Sequence, residues 1–194
     1  MDEIVKFLFE VGILSKTPRS GFHFLGSGNQ SVSEHTNRVI FIGYALASLE
    51  KNIDMLKVLK MCLFHDITET RISDLNYVHQ KYVERKEEEA LQDLTKTLPF
   101  GEDFKEILTE YENRESREAI LAKDADNIEW ILSLKEQADN GNSKALIWIK
   151  PAIKRLKTEN GKMIGEKILE TDSDSWWFAN KDDEWWVSRN KENN

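Results

Sequence analysis

The chain has 194 residues, with only 9 Gly and 3 Pro, which is about the length of one domain and too poor in turn residues for a fold of many short strands. Its 27 basic and 35 acidic residues leave a net charge of -8, which argues against a sequence-independent nucleic-acid surface, since that needs clustered Lys and Arg. A small phosphorylated ligand stays open, because one buried cation and one well-placed arginine can create a local positive site in an acidic protein.

The first residues are acidic, and their apolar positions are interrupted by Lys6 and Glu10, so they do not read as a signal peptide. No apolar run approaches the roughly 18 to 20 residues that span a bilayer, and the single cysteine, Cys62, cannot form an intrachain disulfide. A soluble, cytoplasmic protein without a membrane or nucleic-acid partner is expected.

Apolar residues recur at helical spacing along the chain. Ile4, Phe7, Leu8 and Val11 mark a first helix ending near Leu14. Residues 15–30 hold Pro18, Gly21, Gly26, Gly28 and Asn29 and read as an ordered loop. Ser31 and Glu34 then form a capping-box pair ahead of a helix with Val39, Ile42, Leu46 and Leu49. Asp54 caps a third helix, so apolar from Met55 to Phe64 that most of its circumference should be buried. A polar connection leads from Thr70 to a charged helix with a core face of Val83, Ala90, Leu91, Leu94 and Leu98, stopped at Pro99. Phe104, Ile107, Leu108 and Tyr111 mark the next helix. Residues 115–138 form one with apolar residues on both sides, although it carries Lys123, Asp124 and Asp126. Gly141 ends it, a helix with Pro151 inside follows and should kink or break, and a last helix holds Met163, Ile164, Ile168 and Leu169. The expected organisation is one all-α domain over residues 1–170. A tail over 171–194, with Trp176, Trp177, Trp185 and Trp186, would pack on the domain or on a second subunit.

His35 lies on the core stripe of its helix, where a lone histidine would read as a hydrogen-bonded core residue. His65 and Asp66 close the most apolar helix, where burial without compensation would cost several kcal/mol. A divalent cation compensates both residues, and two imidazoles with two carboxylates suit a borderline transition metal. Asp126, equally misplaced in a buried helix, is the natural fourth ligand. Glu69 follows His65 by four residues and Asp66 by three, hence on their helical face, in reach of metal-bound water, where a general acid or base must stand. Arg19, in a Gly-bounded loop, is either solvated or apt for bidentate phosphate contact. His23 and His79 read as bystanders.

Taken together, Arg19-Ser20-Gly21-Phe22, Val32-Ser33-Glu34-His35, Phe64-His65-Asp66-Ile67-Thr68-Glu69 and Lys123-Asp124-Ala125-Asp126 resemble HD-domain metal-dependent phosphohydrolases. Within them the likeness is to the small 5'-deoxynucleotidase branch, over residues 1 to about 140. The family's Lys-x-x-Asp pattern favours Asp126 over Asp124. The resemblance implies an all-α HD-domain bundle with one divalent cation (Mn, Co, Zn, Fe, Ni or Mg) in its core on His35, His65, Asp66 and Asp126. It implies Glu69 as the acid or base, Asp74 on the sugar hydroxyl, the Arg19 loop on phosphate, and a homodimer. Two positions depart from the family pattern. Phe22 stands where Trp is usual, keeping a face for a base to stack on, and Ser73 stands where Gly is usual before Asp74. The implied reaction is hydrolysis of 5'-deoxynucleoside monophosphates. The alternatives are hydrolysis of a deoxynucleoside triphosphate or of an alarmone, for which Arg19, Arg38, Arg71 and Lys123 are the visible basic candidates, and a non-catalytic scaffold with a structural metal.

Overall fold

In the computed structural model, which describes residues 1–180, 182, 183 and 187, the described regular elements are helical apart from one isolated bridge. Helix α1 (Asp2–Val11) runs into a 3-10 turn at Gly12–Ser15. The breaker-rich loop that follows contains a short helix, α2 (Phe22–Leu25), and is closed by the bridge between Pro18 and Ser31. α3 (Val32–Ser48) begins at the expected capping box, with the Ser31 hydroxyl accepting from the Glu34 N–H and the Glu34 carboxylate accepting from the Ser31 N–H. α4 (Met55–Phe64) starts at Asp54, whose carboxylate accepts from the Lys57 N–H. The chain continues through α5 (Glu69–Ile72), α6 (His79–Tyr82), α7 (Glu87–Thr95), α8 (Gly101–Asn113), α9 (Arg117–Asp139), α10 (Ser143–Ile153), α11 (Glu159–Glu170) and α12 (Ser175–Phe178).

The core is organised around α9, which packs against α3, α4, α8, α10 and α11. Neighbours on several sides explain why its apolar residues are not confined to one stripe. Leu121, Ile128, Ile131 and Leu134 are all fully buried, each contributing about 1.5 to 3 kcal/mol relative to exposure. A smaller cluster of Leu14, Val32, Ile67, Leu94, Leu98, Phe104 and Leu108 fills the space beneath α7 and α8. Asp124, the other charge in α9, has a structural task. Its carboxylate accepts from the Lys157 and Thr158 N–H groups and the Thr158 hydroxyl, fastening the start of α11 to α9.

The structure corrects three expectations. Val83 is extended and 49% exposed, so the charged helix is split, and α7 begins only at Glu87. Three consecutive acids, Glu87 to Glu89, occupy its first turn, where they favour the positive end of the helix dipole. α4 is buried on one face rather than around most of its circumference, with Val58, Met61 and Cys62 inside but Leu56 and Leu63 exposed by 65% and 45%. α10 does not break at Pro151 but continues helically through it to Ile153. Among the described residues, no helix is long and apolar enough to cross a membrane.

Candidate active site

The capping box sets the start of α3 and thereby places His35 one turn in, with no exposed surface. At the end of α4 the chain turns tightly, with the Glu69 N–H donating to the Asp66 carbonyl, which brings His65, Asp66 and Glu69 to one wall. α9 supplies Asp126. The result is a buried cluster in which a ligand atom from each of His35, His65 and Asp126 lies within 4.8 Å of the others. The two Nε2 atoms are 3.2 Å apart, and Asp126 Oδ1 is 3.2 Å from His35 Nε2. Asp66 Oδ2 stands 3.5 Å from His35 Nε2 and 3.2 Å from His65 Nε2.

The far side of each ring is already engaged. His35 Nδ1 pairs with Glu129 Oε2 at 2.6 Å, and His65 Nδ1 lies 2.9 Å from the Cys62 carbonyl. A carbonyl only accepts, so His65 carries a proton on Nδ1, which leaves Nε2 as the ring atom turned to the cluster. Both rings therefore turn an Nε2 toward adjacent carboxylates, a donor set that fits a divalent cation. Glu129 was not singled out in the sequence, although it follows Asp126 by three and so shares its helix face. It is fully buried, held by Arg38, Gln30 and Ser133 as well as His35. Burial alone would raise its pKa, but the hydrogen bond and charge of His35, with Arg38, hold it down to about 2.

Other carboxylates respond to the same crowding. Burial opposes ionisation of Asp66, yet His65, Arg19 and His35 outweigh it and keep the group below the usual carboxylate range. Burial also opposes ionisation of Asp126, and Lys123, 2.7 Å away, leads the charges that overcome it. Glu69 is the reverse case. Burial, then the charges of Asp66 and Asp74, push its carboxyl up to about 10, and its Oε2 has no hydrogen-bond partner. Burial and the nearby Asp126 raise the phenol of Tyr111 as well.

Arg19 lies between Asp66 and Asp74, its Nη1 at 3.3 and 3.4 Å from their carboxylates, with Nε buried and unpartnered. Asp74 accepts from both the N–H and the hydroxyl of Ser20, each at 2.9 Å, and so ties the Arg19 loop to the segment after α5. Gly21 lets the same loop lie close against α9, because a Cβ there would come within 2.7 Å of the Trp130 indole. Phe22 is placed differently from the sequence expectation. It packs edge-on against Trp130, with centroids 5.4 Å apart, and faces the core.

His65, Asp66 and Asp126 of the cluster, with Arg19, Glu69 and Asp74, open onto one cavity of ≈ 980 Å³. Phe24, Tyr77, Trp130 and Trp148 give it aromatic walls, while Arg85, Arg114, Lys123, Arg155 and Lys157 place cations around it. Of the basic residues singled out in the sequence, Arg71 pairs with Glu10 and Arg38 lies behind His35, and neither lines the cavity. His23 and His79 stand outside the cluster.

A helical bundle with this buried His-His-Asp cluster defines the class. Residues 11–167 match the HD domain model, and the chain belongs to that family, as an HD-domain phosphohydrolase. It is 31% identical over 145 residues to the 5'-deoxynucleotidase HDDC2 of Bos taurus, covering 72% of this chain and 70% of that one. With the protein of the same name from Dictyostelium discoideum the identity is 32% over 149 residues, covering 70% and 78%. A conserved hypothetical protein from Pyrococcus furiosus has a similar structure, with a TM-score of 0.72 and 28% identity over 86% of this chain and 99% of that one.

Proposed function

We propose that this phosphohydrolase cleaves the phosphate monoester of 5'-deoxynucleoside monophosphates, giving a deoxynucleoside and inorganic phosphate. The names of its relatives support that substrate class. The observation that carries the reading is the meeting, beside the His-His-Asp cluster, of a buried arginine and a buried carboxyl that each keep a polar atom unpartnered. Arg19 Nε and Glu69 Oε2 are costly to leave so in a folded protein unless a ligand or water completes them.

His35, His65, Asp66 and Asp126 would hold one divalent cation, of the class Mn, Co, Zn, Fe, Ni or Mg. When bound, it supplies Lewis-acid polarisation of the phosphoryl group and cancels carboxylate charge beside Glu69. Arg19, kept charged by Asp66 and Asp74 against the opposing effect of burial, binds the phosphate and offsets its charge as the ester bond breaks. Glu69 exchanges a proton with the attacking water or with the departing 5'-oxygen. Asp74 takes the sugar hydroxyl on lone pairs left free by Ser20. The base lies along Phe24, Tyr77, Trp130 and Trp148, and Phe22 acts by buttressing Trp130. A homodimer in the cytoplasm belongs to the same reading. Trp176, 85% exposed, is available to a second subunit, whereas Trp185 and Trp186 lie outside the described residues.

The test is a phosphate-release screen of deoxy- and ribonucleoside monophosphates across several divalent cations after chelator stripping. Release from deoxynucleoside monophosphates, dependent on added cation, is the expected result. The cations Arg85, Arg114, Arg155 and Lys157 along the cavity favour a second reading, a longer phosphate chain. Turnover of triphosphates alone, without inorganic phosphate as the first product, would establish that reading instead.

A further inference from the structure

Among the described residues, five buried side-chain polar atoms lack a hydrogen-bond partner. Gln30 Oε1 and Thr36 Oγ1 belong to residues away from the cavity, whereas Arg19, Glu69 and Tyr111 all line it. The first two already have roles. Tyr111 does not, and a buried hydroxyl is no less in need of a partner.

Tyr111 lies in the last turn of α8 and is 2% exposed. Its ring is clamped. The His65 imidazole packs against it with centroids 5.7 Å apart, and the Arg114 guanidinium covers a face at 3.6 Å. Arg114 closes α8 in the left-handed conformation, with φ at 56°, and its Nη1 donates to the Tyr111 carbonyl. The Lys123 ammonium, which pairs with Asp126, stands 5.9 Å from the ring centroid. A ring held between a candidate metal ligand and two cations has little freedom to carry its hydroxyl elsewhere.

We propose that the Tyr111 hydroxyl donates a hydrogen bond to a non-bridging oxygen of the phosphoryl group, from the Asp126 side of the site, while Arg19 holds the group from the Asp66 and Asp74 side. This rests on the phosphomonoester reading above and adds a substrate-contacting residue to it. Tyr111 is a neutral donor whose bond strengthens as charge gathers on the phosphoryl oxygens, so it contributes to turnover as well as to binding.

The experiment compares the metal-loaded full chain with its Tyr111→Phe variant, which keeps the ring and its packing and removes only the hydroxyl. Metal content, melting temperature, calorimetric affinity for inorganic phosphate, and turnover of the best phosphate ester are measured. We expect metal content unchanged and the melting temperature unchanged or higher, since an unpartnered hydroxyl is lost. Phosphate affinity should fall about 10-fold and kcat about 10- to 100-fold, the range for a hydrogen bond to a charged group. Parent-like phosphate affinity in Tyr111→Phe, with or without a lower melting temperature, overturns the proposal, and the lower temperature would identify a hydroxyl bonded to structural water. If the parent binds inorganic phosphate but hydrolyses no nucleoside monophosphate, the nucleotide reading fails while the comparison of phosphate affinities still decides the role of Tyr111. If the metal-loaded parent binds no phosphate at all, the proposal falls.

Discussion

His35 and Glu129 lie buried behind the cavity that Arg19 and Asp74 line, and the two pairs are held by different kinds of structure. The first pair stands on the long helices α3 and α9, fully buried, with Glu129 gripped by four side chains. The second pair stands on loops joined by the two hydrogen bonds of Ser20 to Asp74 and the 3.4 Å approach of Arg19 to Asp74, with Gly21 set against Trp130 of α9. Helix packing positions the floor of the site, whereas the loops of the rim are tied by a handful of polar contacts. Changes in the floor should therefore act on metal and stability together, and changes in the rim on substrate handling.

The largest effect is expected from His65→Ala, which should lose metal retention and activity together and melt lower, because metal binding is coupled to folding. Asp124→Ala is the contrast. It should melt lower through loss of the α11 anchor while retaining metal, read by metal analysis beside a melting curve. If Asp124→Ala loses the metal and Asp126→Ala keeps it, the assigned ligands in α9 are wrong.

Next in size is Glu69. Glu69→Gln should keep the metal and lose about 100-fold or more in turnover, the scale of a general acid or base. A pH series on the metal-free protein tests its environment separately. A carboxyl whose pKa rises from 4.5 to about 10 on folding contributes stability fully below pH 4.5 and loses it progressively as the pH approaches 10, because the folded state then holds a proton that the unfolded state has released. The melting temperature of the parent should thus fall relative to Glu69→Gln between those limits. A constant difference would mean that Glu69 is not in the buried, acidic setting described.

A smaller change is expected at Glu129, which reaches the cation only through His35. Glu129→Gln should weaken metal affinity or activity by about 10- to 100-fold, the usual scale for the partner of a ligating histidine. Unchanged metal affinity and activity would leave the salt-linked network of Glu129 and Arg38 with a role in stability alone.

The difference between floor and rim also governs how much could be read from the amino-acid order. Capping at Ser31 and Asp54, helical spacing through α3 and α9, and the misplaced charges His35, His65, Asp66 and Asp126 are local signals, and local signals mark helices and buried polar groups. Glu129 escaped because a glutamate in a charged chain looks solvated until its neighbours are known. Phe22 looked like a stacking face because it stands where the resembled family usually has Trp, but the turn into α2 carries it toward Trp130 and leaves Phe24, Trp130 and Trp148 on the cavity. The break at Val83 was hidden for a similar reason. Apolar spacing continues across it, and only the tertiary path shows that Val83 is extended and left about half exposed.

The smallest predicted effect comes from the rim and tests whether its loops carry strain. Ser73 precedes Asp74 with φ at 62° and ψ at 164°, a combination that is essentially confined to glycine and costs a residue with a Cβ about 1 to 3 kcal/mol. Ser73→Gly should relieve that cost, offset by the greater freedom glycine has in the unfolded chain, about 0.5 to 1 kcal/mol. The net gain of about 1 kcal/mol corresponds to a melting temperature about 2 to 4 °C higher for a chain of this size. The Ser73 side chain has no part in fastening the Arg19 loop, which hangs on Asp74 and Ser20, so turnover should stay within a few-fold of the parent. A lower melting temperature in Ser73→Gly would show that the backbone at this corner is not strained. A large loss of turnover at unchanged stability would show instead that serine, through its restriction of the backbone, keeps Asp74 where Ser20 and Arg19 need it.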